Sequence, residues 1–177
     1  MVDEYHLVHL STGDIFRQNI GKKTDLGKKA KEYMDNGKLV PDFITIDMLR
    51  KEIKNHSATH GFLFDGFPRT IKQAESLDKL LLNLNQKISM MISIEVSEAE
   101  LVKRLLKRGE ESDRADDQDE NIIFNRIAIY KKETEILKSY YENQNKLFSV
   151  NGEQSIGNVK EQIFTLINLY KVESKIK

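Results

Sequence analysis

The sequence contains no cysteine, no tryptophan and only two prolines among its 177 residues. Without cysteine, the chain forms neither disulfides nor thiolate metal sites, and this composition is typical of a reducing compartment. No apolar run approaches the roughly 18 residues of a membrane span. The N-terminal Met-Val-Asp-Glu-Tyr also lacks the basic and apolar regions of a signal peptide. We therefore expect a soluble, cytoplasmic protein without a membrane partner.

Excess charge is absent too, because 28 basic residues balance 28 acidic ones. This balance predicts no affinity for nucleic acid or for an anionic membrane surface. Only seven of the basic residues are arginine, namely Arg17, Arg50, Arg69, Arg104, Arg108, Arg114 and Arg126. The planar guanidinium of arginine can donate two parallel hydrogen bonds to an oxyanion, and the ammonium of lysine cannot. Each arginine is therefore a candidate phosphate ligand.

The stretch from residue 62 to residue 69, Phe-Leu-Phe-Asp-Gly-Phe-Pro-Arg, is the most informative in the chain. Its three apolar residues predict a short strand buried on both faces. Asp65 ends that strand, Gly66 permits a sharp turn, and Arg69 adds a guanidinium. Ligands bind at the carboxyl ends of strands in open α/β sheets. Judged alone, the stretch also fits an ordinary surface turn.

Hydrophobic patterning predicts strands over residues 7–10, 62–64, 88–96 and 147–150. Helices are expected over 15–20, 25–36, 42–55, 70–84, 123–141 and 155–170, with another from residue 97 or 98; Pro41 fits the first position of its helix. Residues 109–117 are polar and aperiodic, and we expect a mobile loop there. The order of strands and helices indicates an α/β fold with a mostly parallel sheet.

Several motifs in this order resemble those of the adenylate kinases, in the bacterial form with a short lid. The motifs are Ser11-Thr12-Gly13-Asp14 with Arg17, Gly37-Lys38-Leu39-Val40-Pro41, Asp65-Gly66-Phe67-Pro68-Arg69-Thr70 with Gln73, Lys103-Arg104 to Arg108-Gly109, Arg114-Ala115-Asp116-Asp117, and Asn125-Arg126. The resemblance covers nearly the whole chain. It implies a monomeric P-loop-kinase-like α/β fold in one nucleoside-monophosphate-kinase domain, 1–177, with an AMP-binding flap at about 11–40 and a short lid at about 108–118.

The resemblance further implies reversible, Mg²⁺-dependent phosphoryl transfer from ATP to AMP, which gives two ADP. The catalytic residues would be Arg69, Arg104, Arg114 and Arg126. AMP would be bound by Thr12, Arg17, Lys38, Leu39, Val40, Gly66, Phe67, Pro68, Arg69, Gln73, Arg114 and Arg126. ATP would be bound by Arg104, Arg108 and Gln154, and Asp65 would hold Mg²⁺ through water. Phosphoryl transfer rests on positioning and charge neutralisation, which suits a site rich in arginine.

The chain departs from the family in two ways. Asp113 stands where the family usually has glycine, and its carboxylate could compete for Arg114. The family's first strand and its glycine-rich P-loop are missing, since each Gly-Lys pair, at residues 21, 27 and 37, lies in a helical or flap segment. Because that strand is central in the family's five-stranded sheet, we expect two strand pairs separated by a gap about one strand wide, and little activity from this chain.

Three interpretations stay open from the sequence. The chain is an adenylate kinase whose sequence begins at an internal methionine, with a Gly-Lys loop encoded upstream. Alternatively, it is a kinase for another nucleoside monophosphate, against which Thr12 and Gln73 argue. The third possibility is a non-catalytic nucleotide-binding protein. Against it stand six arginines at family phosphate positions.

Overall fold

The computed structural model describes residues 2–112 and 114–176. Four strands are present in this part of the chain: β1 Val8–Ser11, β2 Phe62–Asp65, β3 Met91–Glu95 and β4 Leu147–Asn151. The helices are α1 Val2–Tyr5, α2 Thr12–Gly21, α3 Asp25–Met34, α4 Asp42–Asn55, α5 Ile71–Leu82, α6 Glu98–Glu110, α7 Glu120–Ile129, α8 Leu137–Glu142 and α9 Ile156–Ile176. This order confirms the predicted α/β fold. No helix in the described part is long and apolar enough to cross a membrane.

The strands form two separate parallel pairs. In the first pair β1 lies beside β2, with Val8 opposite Phe62 and Ser11 opposite Asp65. In the second pair β3 lies beside β4. Within residues 2–112 and 114–176, no strand connects the two pairs. The predicted division into two strand pairs is therefore confirmed.

A cleft with a volume of ≈ 1300 Å³ lies between the two pairs. Every residue from 60 to 69 and from 86 to 94 lines it, which includes all of β2 and nearly all of β3. Because alternate residues of a strand point to opposite faces, lining at every position means that the strand edges themselves border the cleft. The expected burial of residues 62–64 on both faces is wrong: Phe62, Leu63 and Phe64 are only partly buried. Their free edge and side chains face the cleft.

Each strand pair has its own apolar core. Leu10 of β1 packs with Leu49 of α4 and with Leu77 and Leu81 of α5. On the other side, Val150 of β4 packs with residues of α9. A smaller cluster of Phe16, Ala30, Val40 and Met48 holds α2 and α3 against the start of α4. A further cluster, Ala74 of α5 with Leu137 and Tyr141 of α8, packs against Met91 of β3 and Leu147 of β4, and it connects the two walls of the cleft.

The structure corrects three local expectations. The loop expected over 109–117 is partly helical, since α6 extends to Glu110 and a 3₁₀ turn spans Ala115–Asp117. Gly109 allows this packing, because a Cβ there would lie 2.4 Å from the carbonyl oxygen of Asp117. Pro41 is the N-cap of α4 rather than its first residue. The helix expected over 123–141 is interrupted by a π-helical segment, Tyr130–Thr134.

Candidate active site

The turn after β2 folds Arg69 back onto the end of its own strand. Gly66 has a φ of +65°, a conformation that residues with a Cβ rarely adopt. A Cβ on Gly66 would also lie only 2.9 Å from Nη2 of Arg69. Arg69 Nε donates a hydrogen bond of 2.8 Å to the carbonyl oxygen of Gly66. Burial, followed by the positive charge of Arg126, lowers the pKa of Arg69 from its ordinary value.

The start of α2 lies against this turn. Ser11 caps the helix by accepting a hydrogen bond of 3.4 Å from the backbone N–H of Asp14. The hydroxyl of Thr12 donates a hydrogen bond of 2.9 Å to the carbonyl oxygen of Gly66. Thr12 thus joins the start of the predicted flap to the turn that carries Arg69.

Gln73 is almost entirely buried and both ends of its amide are bound within the protein. Its Oε1 atom accepts a hydrogen bond of 2.8 Å from the backbone N–H of Arg69. Its Nε2 atom donates one of 2.8 Å to Oδ1 of Asp42. The family resemblance predicts a role for Gln73 in AMP binding but indicates no partner for it, because Asp42 is 31 residues away.

A small cavity of ≈ 50 Å³ lies between α2, the turn after α3 and the start of α5. Seven of the residues predicted to bind AMP line it: Thr12, Lys38, Leu39, Val40, Gly66, Arg69 and Gln73. Phe16, Met34 and Thr45 line it as well and were missed. Phe16 and Met34 occupy apolar positions of the predicted flap, a signal that could have identified them. By volume, this cavity has room for only a few water molecules.

Five of the six predicted phosphate arginines line the large cleft: Arg17, Arg69, Arg108, Arg114 and Arg126. Arg104 is not among its lining residues. Its Nε donates to Glu100 over 2.7 Å and its Nη1 donates to the carbonyl oxygen of Gly152 over 2.8 Å. The structure therefore places Arg104 at the turn after β4, close in sequence to Gln154.

Gln154, the other residue predicted for ATP at this turn, does not line the cleft either. Its Oε1 atom accepts a hydrogen bond of 2.8 Å from Nε2 of Gln162 in α9. The turn itself is compact, because a Cβ on Gly152 would lie 2.6 Å from Cγ2 of Ile94.

Three aspartates hold four of the five cleft arginines in place. Asp14 accepts from Nη2 of Arg17 over 2.6 Å and lies 3.4 Å from Nη2 of Arg114. The hydrogen bond from Arg17 lowers the pKa of Asp14, an effect that partial burial opposes. The contact between Asp14 and Arg114 joins α2 to the segment before the 3₁₀ turn, and the two residues are 100 positions apart in the sequence.

Asp117 is the most deeply buried carboxylate of the site. Its Oδ2 atom accepts from Nε of Arg108 over 2.6 Å, and its Oδ1 atom accepts from Nη1 of Arg126 over 2.5 Å. Asp116 adds a contact of 3.0 Å with the same Nη1 atom. Burial raises the pKa of Asp117, but the hydrogen bond from Arg108 and the charge of Arg126 outweigh it and leave the pKa below its ordinary value. Asp113, the expected competitor for Arg114, lies outside the described residues.

Asp65, the predicted magnesium residue, is exposed at the carboxyl end of β2. Its side chain is 62% exposed and its Oδ2 atom lies 3.4 Å from Nε2 of His9. In residues 2–112 and 114–176, no group of three histidine or acidic side chains forms a closed metal site. Magnesium at nucleotide sites is usually held by one or two carboxylates together with substrate phosphates and water. A single accessible carboxylate fits that kind of site.

The sequence is similar to known proteins of one family. The family model for adenylate kinase matches residues 1–146. An adenylate kinase of Flavobacterium psychrophilum is 48% identical over 166 residues, which covers 94% of this chain and 87% of the relative. The adenylate kinase of Bacteroides fragilis is 43% identical over 92% of this chain and 86% of its own length. That of Alkaliphilus oremlandii is 39% identical, over 93% and 88% respectively.

The family match spans the turn after β2, the small cavity and all of the arginines that border the cleft. The relatives extend the similarity beyond β4, over more than nine-tenths of the chain. The chain belongs to the adenylate kinase family.

Proposed function

We propose that this chain carries the site for reversible, Mg²⁺-dependent transfer of a phosphoryl group from ATP to AMP, with two ADP as products. One observation carries the proposal: five arginines, each from a different segment of the chain, border a single cleft. Like charges repel, so such a cluster is stable when a polyanion binds among them. Nucleotide phosphates have the charge and the oxygen geometry that guanidinium groups bind best.

AMP would occupy the side of the cleft that includes the small cavity. Thr12, Gln73 and the backbone of residues 38–40 would bind the base and ribose. Gly66, Phe67 and Pro68 would shape the turn beneath the nucleotide, while Arg17, Arg69 and Arg126 would bind its phosphate. The cavity lining supports this assignment, since it joins Thr12 to Gln73.

ATP would approach from the side of α6. Arg104 and Arg108 share one face of that helix, and the turn containing Gln154 lies next to Arg104 through its bond to Gly152. Arg114 would contact the transferred phosphoryl group. Asp65 would hold Mg²⁺ through water, and the ion would neutralise charge on the donor phosphates when bound.

The side chains act by position and charge. The transition state spreads negative charge over the equatorial oxygens of the phosphoryl group, and fixed guanidinium groups stabilise it without first having to reorganise. Asp14 and Asp117 supply that fixation, because each carboxylate binds two arginines. The proposed catalytic residues are Arg69, Arg104, Arg114 and Arg126.

Closure of two mobile parts would exclude water from the reaction. We assign the AMP-binding flap to residues 11–40 and the lid to residues 108–118, both within one domain, 1–177. The cavity of ≈ 50 Å³ supports motion of the flap, since a nucleobase needs more room than a few water molecules. We further propose that the protein is a cytoplasmic monomer that binds neither nucleic acid nor membrane.

The experiment separates binding from turnover. Calorimetric titration with AMP, CMP and UMP measures acceptor binding, and a coupled assay measures ADP formation from ATP with each acceptor, with Mg²⁺ and with excess EDTA. We expect AMP to be strongly preferred, because a pyrimidine leaves the Gln73 amide unpaired. Equal affinities and rates for the three acceptors would favour a kinase with another specificity. Binding of none of them would refute the proposal.

A further inference from the structure

Asp42, the first residue of α4, connects two parts of the site without lining its cavity. Its Oδ1 atom accepts a hydrogen bond of 2.8 Å from Nε2 of Gln73 and one of 3.1 Å from the hydroxyl of Thr70. Pro41 caps the helix without a side-chain hydrogen bond. A carboxylate at a helix N-terminus is stabilised by the helix dipole. Asp42 is therefore well placed to accept hydrogen bonds from the start of α5.

The amide of Gln73 lies between two partners of fixed character. An ionised carboxylate can only accept hydrogen bonds, and the backbone N–H of Arg69 can only donate. Only one of the two amide orientations satisfies both partners, with Nε2 toward Asp42 and Oε1 toward Arg69. The flipped amide would place oxygen against carboxylate and N–H against N–H. Gln73 is only 2% exposed, so little water is available to replace the lost partners, and the flipped orientation is strongly disfavoured.

The Gln73 amide keeps one donor and one acceptor for a ligand, and the position of each is fixed. One N–H is left on the side of Asp42, and one lone pair is left on the side of Arg69. A 6-aminopurine presents a donor at C6 and an acceptor at N1, whereas a 6-oxopurine presents the reverse. An amide that flips freely can pair with either base. An amide held in one orientation matches only one of them in a given pose.

We propose that Asp42 is a specificity-determining residue, which acts through Gln73 to make the site accept a 6-aminopurine and reject a 6-oxopurine. Asp42 is a positioning residue rather than a catalytic one, since it contacts Gln73 and Thr70. The inference rests on the proposed function, because it assumes that AMP binds at the cavity lined by Gln73. The inference adds a named residue, Asp42, that would determine the selectivity of the site for AMP over IMP.

The test compares AMP and IMP binding by calorimetry for the wild type and for Asp42→Asn. An asparagine side chain can both donate and accept, so in this variant the flipped Gln73 amide loses only its pairing with the backbone N–H of Arg69 and keeps a partner at residue 42. We expect the ratio of the AMP and IMP affinities to fall at least about tenfold, mostly through tighter IMP binding. Thr70→Val is the matched control, because it removes the other hydrogen bond to Asp42 and weakens the cap of α5. It should reduce stability and leave the ratio unchanged.

A folded Asp42→Asn protein with an unchanged ratio would overturn the inference. A wild type that binds AMP and IMP equally would overturn it as well, while AMP binding itself would survive. If the wild type binds neither nucleotide, both the proposed function and the inference fail. Hydrogen exchange of the Gln73 Nε2 protons in the wild type, followed by NMR, gives a measurement without any variant. Slow exchange supports the bond to Asp42, and exchange at the rate of a solvated amide refutes it.

Discussion

Arg108 donates from Nε to Oδ2 of Asp117 across 2.6 Å, and the receiving carboxylate is completely buried. The other oxygen of that carboxylate accepts from Arg126. One aspartate thus fixes an arginine of α6 and an arginine of α7 at the same wall of the cleft. Its charge offsets part of their mutual repulsion, so both guanidinium groups can be held close together before a polyanion arrives.

Removal of this carboxylate should lower stability clearly. In Asp117→Ala, two guanidinium groups lose charge-assisted hydrogen bonds, each worth about 1.5–3 kcal/mol. Both arginines are partly solvated, so we expect a net loss of about 2–4 kcal/mol in the free energy of unfolding by urea. Asp47→Ala is the control, because Asp47 forms an exposed ion pair with Arg50. It should change stability by less than about 1 kcal/mol. Equal losses in the two variants would contradict the structural role of Asp117.

The same carboxylate should make stability depend on pH in the acid range. The pKa of Asp117 in the folded chain lies below its ordinary value, while the unfolded chain has an aspartate pKa of about 3.9. The charge therefore contributes its full stability above about pH 4, and that contribution is lost as pH falls through the folded pKa. Urea unfolding of the wild type and Asp117→Asn from pH 7 to pH 3 measures this. The difference in free energy should be constant above about pH 5 and shrink below about pH 4; a constant difference down to pH 3 would refute the effect.

Arg69→Lys should weaken AMP binding and slow any ADP formation by about tenfold or more, with little change in thermal stability. Lysine keeps the positive charge but loses the Nε donor that binds the carbonyl oxygen of Gly66 and the planar fork that binds a phosphate. Arg50→Lys is the matched control, since Arg50 contacts Asp47 on the outer surface of α4. Calorimetry and the coupled assay on both variants decide the matter. Indistinguishable AMP affinities and rates of ADP formation in the two variants would indicate that Arg69 is an ordinary turn residue.

Local patterns were sufficient to locate most elements of this fold. The predicted helix over 42–55 and α4 coincide, and three of the four strands lie within one residue of their predicted positions. The predicted strand over 88–96 was too long, because β3 has hydrogen-bonded partners only where it faces β4. The π-helical segment was not predictable, since apolar residues spaced three and four apart are also the pattern of an uninterrupted α-helix. Thr134 in that segment donates to the carbonyl oxygen of Arg69, a contact between distant parts of the sequence.

The candidate site was predictable as a set of residues but not as a network. Motifs identified the arginines, and the fold brings five of them to one cleft. The carboxylates that hold them were part of those motifs and received no role, because a pattern does not show which distant partner a side chain contacts. Asp14 with Arg114 and Asp42 with Gln73 are such pairs. Only the tertiary structure reveals them.

The last prediction concerns the cleft itself. Both β2 and β3 have a partner on one side only and border the cleft along their other edges. Leu63 of β2 and Ile92 of β3 are only partly buried. The sequence also contains no Gly-x-x-x-x-Gly-Lys loop, whose amides would hold the donor phosphates. We therefore expect the 177-residue chain to bind AMP but to form ADP very slowly.

Calorimetric melting should accordingly show a broad transition, because in the described residues the two strand pairs are joined by the side-chain cluster between α5 and α8 and not by hydrogen bonds between strands. Leu77→Ala, in the core of the first pair, should shift that transition far more than Leu63→Ala at the cleft, since Leu77 is fully buried and Leu63 is not. The coupled assay on the same preparation measures ADP formation. A sharp two-state melt together with turnover of about 1–100 s⁻¹, the usual range for kinases, would show that the arginines alone position ATP and that the open strand edges cost the fold little.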